Sequence, residues 1–401
     1  MEAAQTNLLV TLTGPDRPGV TSQLFSALAG HQLSVTDIEQ VVIRGRLVLG
    51  VLLTSEGDPD LITVRRVVRA LAANLGMEVK ITGGSGDPPR RRGALHVTVM
   101  GSPLMPAAIA AIAGQIAASG ANIDRIDRLA NQPVTCIEME VSGADPDALR
   151  VALARESAEQ GVDVAVQGGG LLRRAMRLIV MDVDSTLIAG ETINLLAAKA
   201  GCAEEVAKVT ASAMRGDLEF AASLHERVAM LAGLPESAIE EVWQDLQFAP
   251  GARTLIRTLR RLGYRCGIVS GGFTQFTDRL TSELGIDYAA ANTLEIARGK
   301  LTGRLTGPVI DRAGKAAALR RFAADAGIPL SQTVAVGDGA NDLAMIAAAG
   351  LGVAFNAKQV VRDVADTSIS VPYLDTMLYV LGMSRDEVEA AGEVDVSQAT
   401  S

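Results

Sequence analysis

The chain has 401 residues, of which 48% are hydrophobic, 21% charged and only 3% aromatic. This length exceeds one typical hydrophobic core, so two or three domains are expected. The formal net charge of −9 gives no general attraction to nucleic acid or to an anionic membrane, and we expect neither as a partner. No signal peptide and no long apolar span is visible, and three widely spaced cysteines fit no disulfide or zinc pattern. We therefore expect a cytoplasmic protein with reduced thiols.

The first two blocks of the chain share one order of elements. Residues 6–84 are predicted to form strand, helix, two strands, helix and strand, and residues 94–168 repeat that βαββαβ order after a Gly- and Pro-rich linker. Such an order places two helices on one face of a four-stranded sheet. The sequence therefore predicts two tandem α+β domains of ferredoxin-like form, each a compact unit.

A third block follows Gly168-Gly169-Gly170 and covers residues 175–383. Its strands and helices alternate, which predicts an α/β fold with a doubly wound parallel sheet. The apolar runs expected to be strands lie at residues 177–181, 265–270, 333–337 and 352–355. Residues from about 190 to 248 have a helical pattern and are predicted to form a cap inserted in the first crossover. Residues 384–401 are predicted to be a polar, frayed tail.

Two acidic residues, Asp182 and Asp184, follow the first of these strands. In extended backbone the side chains at i and i+2 share a face, so the two carboxylates would converge. Like charges held that close are best tolerated where a cation neutralises them or where they share proton transfer. The carboxyl edge of a parallel sheet is also where such folds bind ligands. This pair is therefore the best candidate for the chemistry of the chain.

Further polar residues follow the other strands. Ser270 and Gly271 offer a hydroxyl and a bare backbone amide that could hold a phosphate oxygen. Lys315, at a helix start, can supply a point charge. Asp338, after the third strand, would complete an oxygen-rich cluster with the opening pair, and such a cluster suits Mg²⁺. The sequence predicts magnesium-assisted chemistry on a phosphate group.

These motifs, in the order Asp-x-Asp-x-Thr, Ser, Lys and Gly-Asp-Gly-x-Asn-Asp, resemble the haloacid dehalogenase-like (HAD) phosphatase superfamily. Within it, the chain is similar to the phosphoserine phosphatase family. The narrower resemblance rests on Glu191, on the run from Arg215 to Phe220 followed by Arg227, and on Ala291-Asn292 with the run 299–303. It covers residues from about 175 to 381.

The resemblance implies roles for the acidic residues. Asp182 would be the nucleophile that forms an aspartyl-phosphate, and Asp184 the general acid and base. Mg²⁺ would be held by Asp182, by the backbone carbonyl of Asp184 and by Asp338, with Asp342 steadying the site.

It also implies how a phosphoserine substrate would be bound. Glu191 would take the ammonium group and Arg227 the carboxylate. The phosphoryl oxygens would be bound by the remaining polar groups, Ser270, Gly271 and Lys315, with Asn341 near the phosphate or leaving group. Met214 and Phe220 would close the pocket against water.

The turn from Gly14 to Gly19 follows the first strand, and with the βαββαβ order it resembles ACT domains. This implies binding of an amino acid, with serine as a possible effector, at a site lined by Gly14, Asp16, Gly19 and Gly101. A tight turn without a ligand explains the same residues, and the second block departs from the pattern with Gly101-Ser102-Pro103. Pairing of sheet edges between chains predicts a homodimer through these domains.

The sequence is compatible with three functions. The first is an Mg²⁺-dependent hydrolase that releases serine from phosphoserine in serine biosynthesis. The second is a HAD-type phosphatase or phosphotransferase acting on another small phosphomonoester, such as phosphohomoserine. The third is an amino-acid sensor with a secondary phosphatase half, although a pure sensor needs no complete set of Asp182, Asp184, Lys315 and Asp338.

Overall fold

The computed structural model of the chain describes residues 6–55, 61–84, 95–169, 175–215 and 219–391. The chain divides into two compact units, Met1–Arg90 and Arg91–Ser401. The predicted boundary between the two βαββαβ blocks thus coincides with the division between the units.

The first unit is a four-stranded antiparallel sheet in the order β2-β3-β1-β4, with two helices. Its elements are β1 (Thr6–Pro15), α1 (Val20–Leu28), β2 (Ser34–Ile43), β3 (Arg46–Ser55), α2 (Leu61–Asn74) and β4 (Glu78–Gly84). Alternate residues of β3, among them Leu47, Leu49 and Val51, are fully buried, as a sheet covered on one face requires. The predicted βαββαβ order is confirmed.

The second unit begins with the same order of elements. They are β5 (Leu95–Gly101), α3 (Pro106–Ala118), β6 (Asn122–Ala130), β7 (Thr135–Ser142), α4 (Pro146–Gln160) and β8 (Asp163–Gly168). Local signals explain the helix starts, because Pro106 occupies the first turn of α3 and Asp145 caps α4 by accepting a hydrogen bond from the Ala148 amide at 2.9 Å. This half is called the second ACT-like half below.

The rest of the unit is built on a parallel sheet. Its strands are β9 (Leu178–Asp182), β10 (Arg265–Phe273), β11 (Tyr288–Ala297), β12 (Lys300–Thr306), β13 (Thr333–Gly337), β14 (Leu351–Phe355) and β15 (Thr367–Ile369). All four predicted strands are present. The hairpin of β11 and β12 and the short β15 are additional. Strands β10, β9, β13, β14 and β15 run parallel.

Helices cover both faces of this sheet. Ile179 and Met181 of β9 belong to one buried cluster, and Leu178 and Val180 belong to another. The alternation explains why β9 reads as a continuous apolar run. The covering helices are α9 (Ala252–Arg261), α10 (Thr274–Leu284), α11 (Arg312–Ala326), α12 (Leu343–Ala348), α13 (Gln359–Arg362) and α14 (Met377–Val380).

Four further helices form the segment predicted to be a cap between β9 and α9. They are α5 (Thr192–Ala200), α6 (Ala203–Arg215), α7 (Phe220–Ala229) and α8 (Ser237–Asp245). Their buried residues, including Leu196, Leu224 and Val242, form a third cluster, which also takes in Phe273 of β10 and Leu294 of β11. Across the described ranges, no helix combines the length and apolarity needed to cross a bilayer.

The second ACT-like half does not stand alone, contrary to the sequence prediction of a separate compact unit. One eleven-stranded sheet runs through the whole unit in the order β12-β11-β10-β9-β13-β14-β15-β8-β5-β7-β6. The junction is antiparallel, with Thr367 of β15 opposite Ala165 of β8. Met100 and Cys136 from the ACT-like half join the buried cluster that contains Met181. Pairing of β8 with β15 removes two exposed strand edges at once.

The expected frayed tail is also partly wrong, because residues 385–391 are helical. The Ser384 amide and hydroxyl donate to the Glu387 carboxylate at 2.7 and 2.8 Å, and the Glu387 amide donates back to the Ser384 hydroxyl. This reciprocal capping starts a helix even in a polar segment. Residues 392–401 of the predicted tail lie outside the described ranges.

We predict that Gly251→Ala lowers the free energy of unfolding by about 3 kcal/mol, the sum of left-handed strain and steric overlap. Gly251 precedes α9 with φ 81°, and an added Cβ would lie 2.8 Å from the Asp375 backbone nitrogen. Gly263, at the other end of α9, has φ 80° and open space around its missing Cβ. Gly263→Ala should therefore cost only about 1 kcal/mol. Urea unfolding compares the two, and equal losses would contradict the packing argument.

Candidate active site

A buried lysine joins two carboxylates at the carboxyl edge of the parallel sheet. The Nζ of Lys315 lies 2.7 Å from the Oδ1 of Asp182, at the end of β9, and 2.7 Å from the Oδ1 of Asp342. Burial alone would lower the pKa of Lys315, but the two carboxylates outweigh burial and the pKa is raised. Lys315 therefore stays protonated and holds Asp182 in place.

Three carboxylates face one another around this lysine. Oxygens of Asp182, Asp338 and Asp342 lie within 4.8 Å of one another. Burial, and after it the charge of Asp342, raises the pKa of Asp338 to about 6. The same two causes raise the pKa of Asp182, against the opposing charge of Lys315. Three acids and one lysine leave surplus negative charge in a site of hard oxygen donors, and this donor set fits a divalent cation such as Mg²⁺.

The Asp184 carboxylate lies outside this cluster. Its Oδ1 accepts hydrogen bonds from the backbone amide and the hydroxyl of Thr192 at 2.7 and 3.0 Å, and its Oδ2 accepts one from the Ser270 hydroxyl at 2.8 Å. The sequence assigned Asp184 to the metal through its backbone carbonyl, and the side chain is accordingly available for another role. The two neighbouring acids thus have different partners, a lysine for one and hydroxyl groups for the other.

The last part of β10 is irregular over residues 270–272, called the glycine loop below, and it approaches Asp184 closely. The Ser270 hydroxyl accepts a hydrogen bond from the Gly272 amide at 2.7 Å. A Cβ on Gly272 would lie 2.8 Å from the Oδ2 of Asp184 and 2.9 Å from the Oγ1 of Thr192, so only glycine fits there. Buried Asn292 fixes the loop from outside, since its amide nitrogen donates to the Gly271 carbonyl at 2.8 Å. A rigid loop of this kind presents a hydroxyl and backbone amides to an anion.

Two of the predicted substrate residues, Glu191 and Arg227, lie in the cap. Glu191 precedes α5 and accepts a weak hydrogen bond from Asn194 at 3.3 Å. Burial, followed by the charge of Asp184, raises the pKa of Glu191, while Arg227 and Lys358 oppose that shift. Arg227, on α7, is 92% buried, and burial lowers its pKa against the charge of Glu191.

Arg227 has hydrogen-bond partners but no ion-pair partner in the described part of the chain. Its Nε donates to the Ser223 carbonyl at 3.3 Å, and its guanidinium donates to the Thr210 hydroxyl at 3.5 Å. No described carboxylate lies within 4.0 Å of it, although Glu191 is near enough to act on its pKa. A buried guanidinium held by neutral groups can bind an incoming carboxylate.

Three predicted site residues remain: Phe220, Asn341 and Met214. Phe220, the first residue of α7, is half-buried and lies against the glycine loop, where a Cβ on Gly271 would meet its ring at 2.9 Å. Asn341 lies in the short turn after β13, next to Asp342. The side chain of Met214 lies outside the described part of the structure.

Two threonines were missed by the sequence reasoning as site residues. Thr192 binds Asp184 through both its amide and its hydroxyl, and Thr186 donates to the Oδ1 of Asp338 at 3.3 Å. Thr186 belongs to the quoted Asp-x-Asp-x-Thr motif, which is the signal that could have assigned it. Thr192 follows Glu191 directly, but a threonine in the first turn of a helix is too common to stand out.

The residues predicted to bind an effector lie in tight turns. In the first unit, Gly14 packs against Met77, Gly19 precedes α1 with φ 91°, and the Asp16 amide donates to the Gly45 carbonyl at 2.8 Å. In the second unit, a Cβ on Gly101 would lie 3.2 Å from the Cα of Leu104. Both interpretations of these residues, ligand site and plain turn, stay open.

Comparison with known families gives three matches along the chain. The family model of haloacid dehalogenase-like hydrolases matches residues 179–347. Two ACT-domain models match residues 6–82 and 94–167.

Relatives match over nearly the whole length. A phosphoserine phosphatase of Streptomyces coelicolor is 59% identical, with 98% of this chain and 97% of that protein covered. One of Mycobacterium tuberculosis is 52% identical with the same coverage. The crystal structure of a probable phosphoserine phosphatase from Vibrio cholerae has a TM-score of 0.57 and 34% identity, over 72% of this chain and 86% of that one. The chain belongs to the phosphoserine phosphatase family of haloacid dehalogenase-like hydrolases and carries two N-terminal ACT domains.

Proposed function

We propose that the chain hydrolyses O-phospho-L-serine to L-serine and phosphate, with Mg²⁺ and an aspartyl-phosphate on Asp182. The observation that carries this proposal is the separate bonding of the two neighbouring acids. Asp182 faces Lys315 and the acidic cluster, whereas Asp184 faces the Ser270 and Thr192 hydroxyls. Asp182 thus lies beside a positive charge, which suits a nucleophile that will carry a phosphoryl group. Asp184 lies among hydroxyl groups, which suits a residue that donates and accepts protons.

The proposed reaction has two steps. An Asp182 oxygen attacks phosphorus while the bond from phosphorus to the serine oxygen breaks, and Asp184 gives that oxygen a proton. Asp184 then takes a proton from water, whose oxygen attacks phosphorus and releases phosphate from Asp182. Lys315, the Ser270 hydroxyl and the Gly271 amide would bind the phosphoryl oxygens. When bound by Asp182, Asp338 and the Asp184 carbonyl, Mg²⁺ would neutralise charge shared by the carboxylates and the phosphate.

Selectivity for phosphoserine is assigned to the cap. Arg227 would hold the substrate carboxylate and Glu191 its ammonium group. Arg227 is buried and Glu191 half-buried, and the two do not form an ion pair with each other within 4.0 Å. Charged groups left without a close partner bind oppositely charged ligand groups strongly once water is excluded. Phe220 would cover the glycine loop.

Regulation by serine is proposed for the ACT domains, with Gly14, Asp16 and Gly19 near the ligand in the first domain and Gly101 at the corresponding turn of the second. Binding of the product there would lower activity. We further propose a cytoplasmic homodimer that forms through these domains. Strand β2 supports the dimer, because it is an edge strand of the first unit and carries a row of exposed apolar side chains. They are Val35, Ile38, Val41, Val42 and Ile43.

The first test concerns the nucleophile and the metal. We expect Asp182→Asn to lower kcat for phosphoserine by about 10⁴-fold or more, because the attacking oxygen is lost. Chelation followed by dialysis should abolish the activity of the unaltered chain, and added Mg²⁺ should restore it. Phosphate release measures both. Asp287→Asn is the control, since that carboxylate binds Arg265 at the other end of β10. Activity that survives chelation would contradict the magnesium assignment.

The second test concerns Arg227. We expect Arg227→Ala to lower kcat/KM for phosphoserine by about 100-fold, the usual loss when a buried charge contact is removed. Hydrolysis of an aryl phosphate, which has no amino-acid carboxylate, should change by less than about threefold. Arg227→Lys should recover part of the loss, and thermal melting should exclude unfolding of the cap. Equal losses on both substrates would count against the assignment, and a panel with phosphothreonine and phosphohomoserine tests the substrate itself.

The third test concerns serine. The full chain with Arg227→Ala should still give saturable heat when titrated with L-serine, because the change disables the amino-acid pocket of the active site only. Asp16→Ala added to that chain should weaken the binding, whereas Glu39→Ala, an exposed acid on β2, should not. Absence of saturable heat in the Arg227→Ala chain would refute a separate serine site.

A further inference from the structure

One buried side-chain amide lies between the glycine loop and the start of the helix that carries Lys315. Asn292, on β11, is 2% exposed. Its Nδ2 donates to the Gly271 carbonyl at 2.8 Å, and its Oδ1 accepts a hydrogen bond from the Ile310 amide at 2.7 Å. The two ends of this one amide group therefore bind the backbone of two different segments.

The irregular end of β10 explains why a side chain binds the backbone here. Parallel pairing of β10 with β11 is regular up to Val269 and resumes at Phe273, which lies opposite Asn292. The register shifts in between, and there the Asn292 side chain binds the Gly271 carbonyl. Because buried carbonyls need a donor, a side chain that can donate is required at this position.

The peptide that Asn292 binds is also held from its other side. The Gly271 carbonyl and the Gly272 amide belong to one planar trans peptide unit, so they point in opposite directions. The Gly272 amide donates to the Ser270 hydroxyl at 2.7 Å, and that hydroxyl donates to the Oδ2 of Asp184 at 2.8 Å. A continuous series of hydrogen bonds therefore runs from Asn292 to the proposed general acid.

The other hydrogen bond of Asn292 reaches the start of α11. Ile310 is followed by Asp311, whose side chain caps this helix by accepting a hydrogen bond from an amide of the first turn at 2.8 Å. The Asp311 carbonyl accepts one from the Lys315 amide at 2.9 Å. The Nζ of Lys315 in turn lies 2.7 Å from the Oδ1 of Asp182. Asn292 therefore binds the segment that leads directly into the lysine of the site.

These two partners require an asparagine. Gly271 offers an acceptor and Ile310 a donor, so the side chain between them must donate with one atom and accept with the other. An ionised aspartate only accepts, and leucine does neither. Glutamine is longer by one methylene group, which a close-packed interior does not accommodate without moving one of the two segments.

We infer that Asn292 is a positioning residue for the phosphate group of the substrate. Its side-chain amide holds the glycine loop, which carries Ser270 and Gly271, in a fixed position relative to the start of α11, which carries Lys315. The inference rests on the proposed binding of phosphoryl oxygens by these three residues. Loss of Asn292 should therefore act on the phosphate that all substrates share, and not on the amino-acid part of phosphoserine.

Kinetics of Asn292→Asp and Asn292→Ala at saturating Mg²⁺ test the inference. We expect kcat to fall by about 100-fold, the loss that a small misplacement of reacting groups causes. The loss should be similar for phosphoserine and for an aryl phosphate, because both contain the phosphate group. A loss confined to phosphoserine would assign the effect to the cap and overturn the inference.

Inorganic phosphate gives a measurement that does not depend on the amount of folded protein. As a competitive inhibitor of aryl phosphate hydrolysis, it should bind both variants about 3- to 30-fold more weakly, the range that positioning contacts of this kind give. A variant that is only less stable would lose kcat in proportion to its unfolded fraction, but its inhibition constant for phosphate would not change. An unchanged inhibition constant would therefore refute the positioning role.

Gln275→Glu is the matched control for Asn292→Asp. Gln275, on α10, also binds β11 through its side-chain amide, since its Nε2 donates to the Leu294 carbonyl at 3.0 Å and its Oε1 accepts from the Leu294 amide at 3.4 Å. Both partners belong to β11 itself. The same chemical change should here leave kcat and the phosphate inhibition constant within about twofold of the unaltered chain. Changes as large as those of Asn292→Asp would overturn the specific role, because any disturbance of β11 would then be sufficient.

A double-mutant cycle with Ser270→Ala tests the route through the glycine loop. If Asn292 acts by placing this loop, Asn292→Ala should weaken phosphate binding less in the Ser270→Ala chain than in the unaltered chain. Fully independent effects would overturn the inference. Failure of the unaltered chain to hydrolyse phosphoserine would instead overturn the proposed function, and the measurements with the aryl phosphate and with inorganic phosphate would still decide the role of Asn292.

Discussion

The bond between Lys315 and its two carboxylates is the interaction on which the site depends. One buried ammonium connects the end of β9, the start of α11 and the turn after β13. In a water-poor interior such a group is tolerated only when each hydrogen bond is made, so the three segments must meet in one arrangement. These hydrogen bonds therefore fix the position of Asp182. The negative charge that Lys315 does not neutralise favours a positively charged ligand.

Steric constraint complements this electrostatic one. Gly272 lets the glycine loop touch both Asp184 and Thr192, and a single methyl group there would separate them. Asp184 is thereby packed against the glycine loop, and Asn292 holds that loop by donating to the Gly271 carbonyl. An ion pair fixes Asp182, and close packing fixes Asp184. Two carboxylates only two positions apart in sequence therefore have different surroundings.

Much of this could be predicted from sequence because the signals are local. Apolar runs followed by Asp182, Ser270 and Asp338 identified the strands and the edge where their side chains meet. The pairing of β8 with β15 could not be predicted, because it joins segments some 200 positions apart and β15 has three residues. Thr192 was missed because its role depends on its hydrogen bonds to Asp184, which the folded structure alone reveals. The helix at 385–391 was missed although Ser384 and Glu387 gave its capping signal.

The continuous sheet of the second unit affects how the protein unfolds. Domains joined by a linker can unfold one at a time, but strands in one hydrogen-bonded sheet lose their partners together. The second ACT domain and the phosphatase core share β8–β15 pairing and one buried cluster, so they form a single cooperative folding unit. The first ACT domain has a core of its own. One copy of the repeat thus folds around its own core, whereas the other shares a sheet and a buried cluster with the phosphatase core.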